Sequence, residues 1–175
     1  GASPITNVTA GAYADGPLFL FHILEYMNVD FDLDVDEINE RWEELASEDV
    51  WSQMILKETD DIVQRLTECP RTGQYTLDRS GALVFRRAAL DWHQLQSDAE
   101  AFFLRIYGPG EYRWEGADLG GLVTKGRLQG DSGSGRSALS IRARHLIDSI
   151  RAQYAGTPVA APTLLPPTQV AVKSG

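Results

Sequence analysis

The stretch ALDWHQLQSDAEAFFLRIY, residues 89–107, decides which fold the sequence predicts for this chain. Its apolar residues are spaced as they would be on one face of an amphipathic helix: Leu90, Leu95, Phe102, Phe103 and Ile106. The Gly-Pro-Gly run at 108–110 follows directly and would end a helix there. We therefore interpret residues 89–107 as a long helix that packs one side against a core.

Three other segments also predict helices. Residues 17–28, PLFLFHILEYMN, begin with a proline start signal and are apolar on nearly every face. Residues 48–66 carry a single apolar stripe and stop before Pro70. Residues 137–154 predict a last helix, which ends at Gly156. With residues 89–107, the sequence thus predicts four helices.

The remaining segments predict little regular structure apart from one hairpin. Residues 73–87, GQYTLDRSGALVFRR, read as a β-hairpin with its turn at 78–81. Residues 108–136 contain nine glycines and no convincing period, which predicts a long loop. The expected fold is mainly α: a four-helix bundle with a small β-hairpin and extended N- and C-terminal arms. It forms one domain over 1–156, followed by a Pro-rich extended tail over 157–175.

The segment between the first two predicted helices is acidic. Residues 29–49, VDFDLDVDEINERWEELASED, first alternate apolar residues with Asp as a strand would, and then place Ile38, Trp42 and Leu45 on a helix face. A calcium-binding EF-hand loop starting at Asp32 would put Glu37 where that loop needs glycine. A solvated acidic face that leads into a helix N-terminus is the better interpretation.

Composition excludes several classes of protein. A chain of 175 residues with 43% hydrophobic residues fits one domain, and the single cysteine, Cys69, excludes an intramolecular disulfide. No apolar run reaches the length of a membrane span, and residues 1–15 lack the regions of a secretory signal, so we expect a soluble protein that is not secreted and does not bind membranes.

The charge is distributed unevenly along the chain. The formal net charge is -9, and residues 1–104 hold 7 Lys and Arg against 20 Asp and Glu. Residues 105–151 reverse this, with 8 basic and 5 acidic residues. The acidic balance argues against a general nucleic-acid binder, whereas the basic segment leaves room for a local phosphate contact.

The basic segment contains GDSGSGRS at 130–137, which superficially matches two enzyme motifs. It fits a phosphate loop with Arg136 in place of lysine, and its first half is like the nucleophile region of serine proteases. The preceding LVTKGRLQ is a poor strand for a phosphate loop, and a mainly helical chain does not suit the protease. A glycine loop opening a helix can still bind an anion, including a nucleic-acid phosphate. Because neither enzyme motif has the surroundings that its chemistry needs, we expect no enzymatic activity.

The order of the predicted elements, with several local sequences, resembles the coat proteins of rod-shaped plant RNA viruses, the tobamoviruses. The matching sequences are SPIT at 3–6, AYADGPLFLF at 12–21, IVQRLTE at 62–68, LVFRRAALD at 83–91 and HLIDSI at 145–150. The acidic insertion 29–47 and a tail without aromatic residues depart from the family, which suggests a distant genus.

The resemblance implies a structural capsid subunit that assembles with copies of itself into a helical rod and packages single-stranded RNA through phosphate contacts. Such a protein would be found in the virion and the host cytoplasm, and would need no cofactor. The arginines that would contact RNA are Arg105, Arg127, Arg136, Arg142 and Arg144. Glu68 and Asp91 resemble a pair of carboxylates that face each other between subunits, where calcium could bind. Both residues also suit helix termini.

A protein of a different class is also consistent with the sequence. An acidic helical adaptor or inhibitor would use the loop at 107–136 to bind a protein partner, and would order that loop on binding. Such a protein should show no salt-dependent affinity for RNA.

Overall fold

The computed structural model describes residues 23–27, 30, 32–130 and 138–160. Helices α1 (Val35–Glu48) and α2 (Ile141–Arg151) lie in these ranges, as does a helical turn at 23–26. The strands in chain order are β1 (Trp51–Lys57), β2 (Gln64–Glu68), β3 (Gly73–Leu77), β4 (Leu83–Arg87), β5 (Glu100–Arg105), β6 (Tyr112–Arg113), β7 (Asp118–Lys125), β8 (Gln129–Gly130), β9 (Ala138–Leu139) and β10 (Ala155–Pro158).

Five of these strands form an antiparallel sheet, the main sheet, in the order β1-β7-β5-β3-β4. At its centre, Phe103 of β5 pairs with Leu122 of β7, and Phe102 pairs with Val123. A second sheet of three antiparallel strands has the order β10-β2-β6, and β8 pairs with β9. The described chain is therefore mainly β, and its long-range pairings lie between strands.

Strand β5, EAFFLR, is buried on both of its faces. Ala101 and Phe103 belong to one hydrophobic cluster and Phe102 to another, and each is at most 1% exposed. Side chains alternate across a strand, so these neighbours point to opposite sides of the sheet. A strand that is buried on both sides reads as a continuous apolar run, which periodicity alone does not distinguish from a buried helix.

Strand β7, DLGGLVTK, explains part of the glycine content of its region. A Cβ atom added at Gly120 would lie 2.4 Å from Cζ of Phe103 and 2.6 Å from the carbonyl oxygen of Leu104. Only glycine allows this close approach of the neighbouring strand. Gly120 thus serves packing in the middle of the sheet and does not mark a loop.

The two faces of the main sheet are covered by different elements. Helix α2 packs on one face through side chains that are 0% exposed: Ala143, Leu146 and Ile150. The connection 88–99 lies on the other face, where Trp92 and Leu95 cluster with Phe102 and Val123. The sheet therefore forms the centre of a three-layer arrangement.

Helix α1 is capped at its N-terminal end, is bonded to the main sheet after its C-terminal end and has no fully buried side chain. The Asp34 side chain caps it, accepting hydrogen bonds from the backbone N–H groups of Asp36 and Glu37 at 3.1 and 3.0 Å. After its last turn, Asp49 accepts hydrogen bonds from Lys125 Nζ at 2.9 Å and Trp51 Nε1 at 2.9 Å. None of its residues is buried, so α1 is attached to the sheet mainly through its C-terminal end.

The four-helix bundle predicted from the sequence, and implied by the coat-protein resemblance, is wrong. Residues 89–107 form the connection over the sheet and then β5, and residues 48–66 form β1, a turn and part of β2. Residues 108–136 contain β6, the central strand β7 and β8 within their described part. For residues 89–107, burial of both faces of β5 removes the alternation typical of a strand, so its apolar run resembled a helical one.

Three of the predicted elements are confirmed. The hairpin over 73–87 is β3 and β4, whose turn is closed by hydrogen bonds between Asp78 and Ala82 and between Gly81 and Asp78. The helix face containing Ile38 and Trp42 belongs to α1, and the last predicted helix contains α2. Most of the helix predicted over 17–28 lies outside the described residues.

The described residues contain no helix that is both long enough and apolar enough to span a membrane.

The observed core reverses which of two leucines should matter for stability. The predicted helix would have packed Leu90 against the core and left Leu122 in a loop, whereas the structure buries Leu122 and exposes Leu90. Leu122→Ala, at a side chain that is 0% exposed, should lower the free energy of unfolding by about 2–5 kcal/mol because it leaves a cavity between β7 and α2. The matched control Leu90→Ala, at a side chain 92% exposed, should change it by no more than about 0.5 kcal/mol. Urea unfolding followed by circular dichroism measures both, and a larger effect at Leu90 would contradict the β fold.

Candidate protein-interaction site

The three-stranded sheet, hereafter the small sheet, carries the candidate site. In its central strand β2, Arg65 pairs with Thr157 of β10 on one side and with Tyr112 of β6 on the other. Side chains alternate along a strand, so these three share one face, while Leu66, 1% exposed, points into the core. We call the face that carries Arg65 the outer face.

A groove of about 670 Å³ lies on the outer face. Its floor includes Arg65 and Thr67 of β2. One wall consists of residues from the turn before β6 and from β6 itself: Pro109, Gly110 and Tyr112. The opposite wall consists of the end of β10 and the residues after it: Thr157, Pro158, Val159 and Ala160. The groove therefore joins three segments that are far apart in the sequence.

Large apolar side chains are exposed around this groove. Val63 is 44% exposed, Tyr112 50%, Trp114 47% and Val159 40%. Val159 donates a backbone hydrogen bond to Val63 at 2.8 Å, which places the two side by side. Single exposed apolar residues are ordinary on a protein surface, whereas a contiguous group next to a groove marks an interaction surface.

Backbone hydrogen bonds hold the wall formed by the turn in place. The N–H of Gly110 donates to the Leu66 carbonyl and the N–H of Leu66 donates to the Glu111 carbonyl, both at 2.8 Å. Arg65 Nε donates to the Gly110 carbonyl at 3.2 Å. Gly110 has φ of 94°, a left-handed conformation that favours glycine. These bonds hold the turn against β2.

A buried ion pair fixes β6 beneath the groove. Arg113 Nε lies 2.9 Å from Glu58 Oε2, and the two side chains are only 12% and 7% exposed. Glu58 Oε1 also accepts hydrogen bonds from the backbone N–H groups of Thr59 and Asp60 at 2.8 and 3.1 Å, and Arg113 Nη2 donates to Gln64 Oε1 at 2.8 Å. Because Arg113 points inward, its neighbour Tyr112 points outward.

Two buried tyrosines lie behind the small sheet. The hydroxyl of Tyr75 donates to the carbonyl of Arg71 at 2.6 Å, and that of Tyr154 donates to the carbonyl of Leu119 at 3.0 Å. Burial raises the pKa of Tyr75 to about 12 and also raises the pKa of Tyr154. The guanidinium of Arg113 lies 5.9 Å from the ring centre of Tyr154, so this tyrosine supports the ion pair from below.

Two of the arginines predicted to bind RNA contact other parts of the chain. Arg105, at the end of β5, lies half-buried with Nη1 3.2 Å from Cys69 Sγ. Arg142, in α2, donates to the carbonyl of Asp98 and to Thr124 Oγ1, the latter at 2.6 Å. Burial lowers the pKa of Arg142, against the opposing effect of the Asp98 carboxylate. Both arginines are therefore engaged in internal contacts.

Two of the other three predicted RNA contacts lie within the described residues. Arg127 is exposed after β7, and Arg144 is exposed on α2, where Nη2 donates to the Leu139 carbonyl at 3.2 Å. Arg136 lies outside the described residues. Arg105 pairs with Gly120 near the start of β7, whereas Arg142 contacts Thr124 near its end, so these two are separated by roughly 13 Å of strand.

Within one chain, Glu68 and Asp91 lie on separate elements, and their contact between subunits stays a prediction. Glu68 ends β2 in the small sheet, where it pairs with Ala155, and Asp91 lies in the connection over the main sheet. Neither terminates a helix as the sequence suggested: Asp91 instead accepts a hydrogen bond from the N–H of His93 at 3.2 Å. Across residues 23–27, 30, 32–130 and 138–160, no three His, Cys, Asp or Glu side chains form a group that could hold a metal ion.

Sequence reasoning missed the residues that build the groove and its support. Tyr112 and Trp114 were assigned to a long loop, and Glu58 to the middle of a helix. A signal was present in EYRW at 111–114, where charged and aromatic residues alternate with a period of two. That period is typical of a strand with one buried and one exposed face, although four residues are too few to stand out.

No family model, no curated protein and no solved structure matches this chain.

The buried ion pair gives the site its first test. Replacing either partner alone, as in Glu58→Gln or Arg113→Met, should cost about 3–5 kcal/mol of unfolding free energy because it leaves a buried charge without a partner. The double variant should cost much less than the sum of the two. Chemical denaturation of all four proteins measures the coupling.

A surface pair supplies the control for this cycle. Lys57 Nζ lies 2.8 Å from Asp118, but its side chain is 59% exposed, so Lys57→Met should cost no more than about 1 kcal/mol. Additive effects at Glu58 and Arg113 would contradict the role given to the ion pair.

The buried tyrosines predict loss of stability at alkaline pH. Their folded-state pKa values lie above the ordinary value of 10.0, and that of Tyr75 reaches about 12. Their contribution is therefore complete below pH 10 and is lost as the pH rises toward 12, because the unfolded chain releases these protons first. Unfolding free energies measured between pH 9 and pH 12 should fall less steeply in the Tyr75→Phe, Tyr154→Phe double variant. Tyr112→Phe, at an exposed tyrosine, is the control, and equal slopes in wild type and the double variant would contradict the prediction.

Proposed function

We propose that this chain is a non-enzymatic protein-binding module, an adaptor or an inhibitor, which binds an extended apolar segment of a partner protein in the groove of the small sheet. The groove would accept side chains of the partner between the wall formed by Tyr112 and the wall formed by Val159. Its chemistry is that of peptide recognition, with aromatic and aliphatic walls and an arginine, Arg65, at its floor.

One observation carries this proposal: the exposed large apolar side chains beside the groove, Val63, Tyr112, Trp114 and Val159, lie on a preformed surface. A rigid surface loses little conformational entropy when a partner binds, which favours affinity. Aromatic residues are also the ones that most often dominate binding energy at protein interfaces. The segment that contributes Tyr112 and Trp114 belongs to the region 107–136 from which partner binding was expected.

The positions of the candidate RNA-contact arginines give less support to RNA packaging. Of the four candidate arginines within the described residues, Arg105 and Arg142 make internal contacts, which leaves only two of the four exposed. Phosphate binding depends on several cations that neutralise neighbouring phosphates together. The four-helix bundle from which the RNA-binding positions were inferred is not the fold of this chain.

The overall charge bears on the kind of partner. The net charge of -9 includes six acidic residues on α1 against one basic residue, Arg41. Glu44 and Glu48 stand near the C-terminal end of that helix, where negative charge is unfavourable to the helix dipole. The negative field of the chain and of α1 would accelerate the approach of a basic partner without contributing much to affinity.

A photo-crosslinking amino acid placed at position 112 tests the proposal in an extract of the cells that produce the protein. We expect one protein to form an adduct from position 112 and none from position 90, which is more exposed but lies outside the groove. Calorimetry with that purified partner should show at least tenfold weaker binding for Tyr112→Ala and for Trp114→Ala, a loss of about 1.4 kcal/mol or more.

Two controls make this result interpretable. Leu90→Ala should bind the partner as wild type does, and circular dichroism should show that all variants remain folded. Anisotropy of a labelled single-stranded RNA should show no binding that weakens with added salt. Identical adducts from both positions, unchanged affinity of the Tyr112 and Trp114 variants, or salt-dependent RNA binding would each contradict the proposal.

A further inference from the structure

The groove adjoins the end of the described chain. Its lining includes Val159 and Ala160, and the sequence continues beyond them with APTLLPPTQVAVKSG at 161–175. This remaining sequence is attached directly to one wall of the groove. Fifteen residues can extend over as much as about 50 Å, so its length is ample to return to Tyr112 on the opposite wall.

The chemistry of residues 161–175 matches that of the groove. The segment has no acidic residue and one basic residue, Lys173, and it contains three prolines together with leucine and valine. Proline-rich sequences favour an extended conformation and lose little entropy on binding to aromatic surfaces. The walls offer Pro109, Tyr112 and Val159 as apolar contacts. The sequence LLPP at 164–167 begins four residues after Ala160, which leaves room for a reversal of the chain by one turn.

The attachment itself strengthens such an interaction. A ligand that is joined to its site through a few residues is held there at an effective concentration in the millimolar range. Intramolecular binding would therefore be substantial even if the free peptide bound with a dissociation constant of only about 1 mM. An external ligand would have to compete with that concentration.

We propose that the groove of the small sheet binds the sequence 161–175 of the same chain, with residues 164–167 against Tyr112, and that a partner must displace it. The inference rests on the proposed function as far as the partner is concerned. Binding of the chain's own segment requires only the groove. The C-terminal sequence is then a built-in competitor that regulates access to the interaction site.

The test compares the full chain with a chain that ends at Ala160, by NMR of isotope-labelled protein. Removal of 161–175 should shift the backbone amide signals of residues that line the groove, such as Arg65, Gly110 and Tyr112. A synthetic peptide of sequence 161–175 should bind the shortened chain, reverse these shifts and leave the spectrum of the full chain unchanged. A second variant of the full chain, Leu164→Asp with Leu165→Asp, should reproduce the effect of removal and guards against a shortened chain that does not fold.

Matched substitutions locate the interaction. Tyr112→Ala in the shortened chain should weaken peptide binding at least tenfold, whereas Leu90→Ala should not change it. No shift on removal together with no peptide binding would overturn the proposal. Shifts that depend on protein concentration would also overturn it, since they would assign the segment to the groove of a second copy.

The outcome is separable from that of the proposed function. If the inference holds, the partner identified by crosslinking should bind the shortened chain at least threefold more tightly than the full chain. Equal affinity would overturn the competition and leave partner binding in place. Peptide binding without any partner adduct at position 112 would overturn the proposed function and leave binding of the chain's own segment in place.

Discussion

The ion pair between Glu58 and Arg113 is the constraint on which the arrangement of the two sheets depends. Glu58 follows β1 of the main sheet directly, and Arg113 belongs to β6 of the small sheet. Neither charge tolerates burial alone, so each sheet edge requires the other. The backbone repeats the connection, because Glu58 N–H donates to the Ala117 carbonyl at 2.8 Å and Gly116 N–H donates to the Glu58 carbonyl at 2.9 Å. The buried ion pair thus fixes the orientation of β6, and with it the exposure of Tyr112 beside the groove.

The two sheets treat their faces differently. The main sheet is covered on one side by α2 and on the other by residues 88–99, so its central strands contribute only to the core. The small sheet uses one face for the core, through Leu66, and carries the groove on its other face. The same alternation of side chains that buries Leu66 therefore places Arg65 and Tyr112 at the surface.

Local signals in the sequence were sufficient for the elements that local interactions stabilise. The hairpin turn was predictable because the Asp78 side chain accepts hydrogen bonds from Ser80 and Ala82 close by, and α1 because Asp34 caps it. Strand β5 was not, since burial on both faces erases the alternation that identifies a strand. The groove was not predictable either, because its floor and walls come together through long-range contacts. One example is the hydrogen bond between Arg65 and Gly110, which are 45 residues apart. Short sequence matches to the coat proteins reflect local signals of this kind and contain no information about the long-range contacts.

The last residue of β10 has a consequence for how the small sheet can grow. Pro158 pairs with Gln64 on the inner side of an outermost strand, and its ring nitrogen carries no hydrogen to offer a newcomer on the other side. An additional strand, from another molecule of this protein or from a ligand, would find the ladder interrupted. Pairing of a further strand along β10 is thereby discouraged.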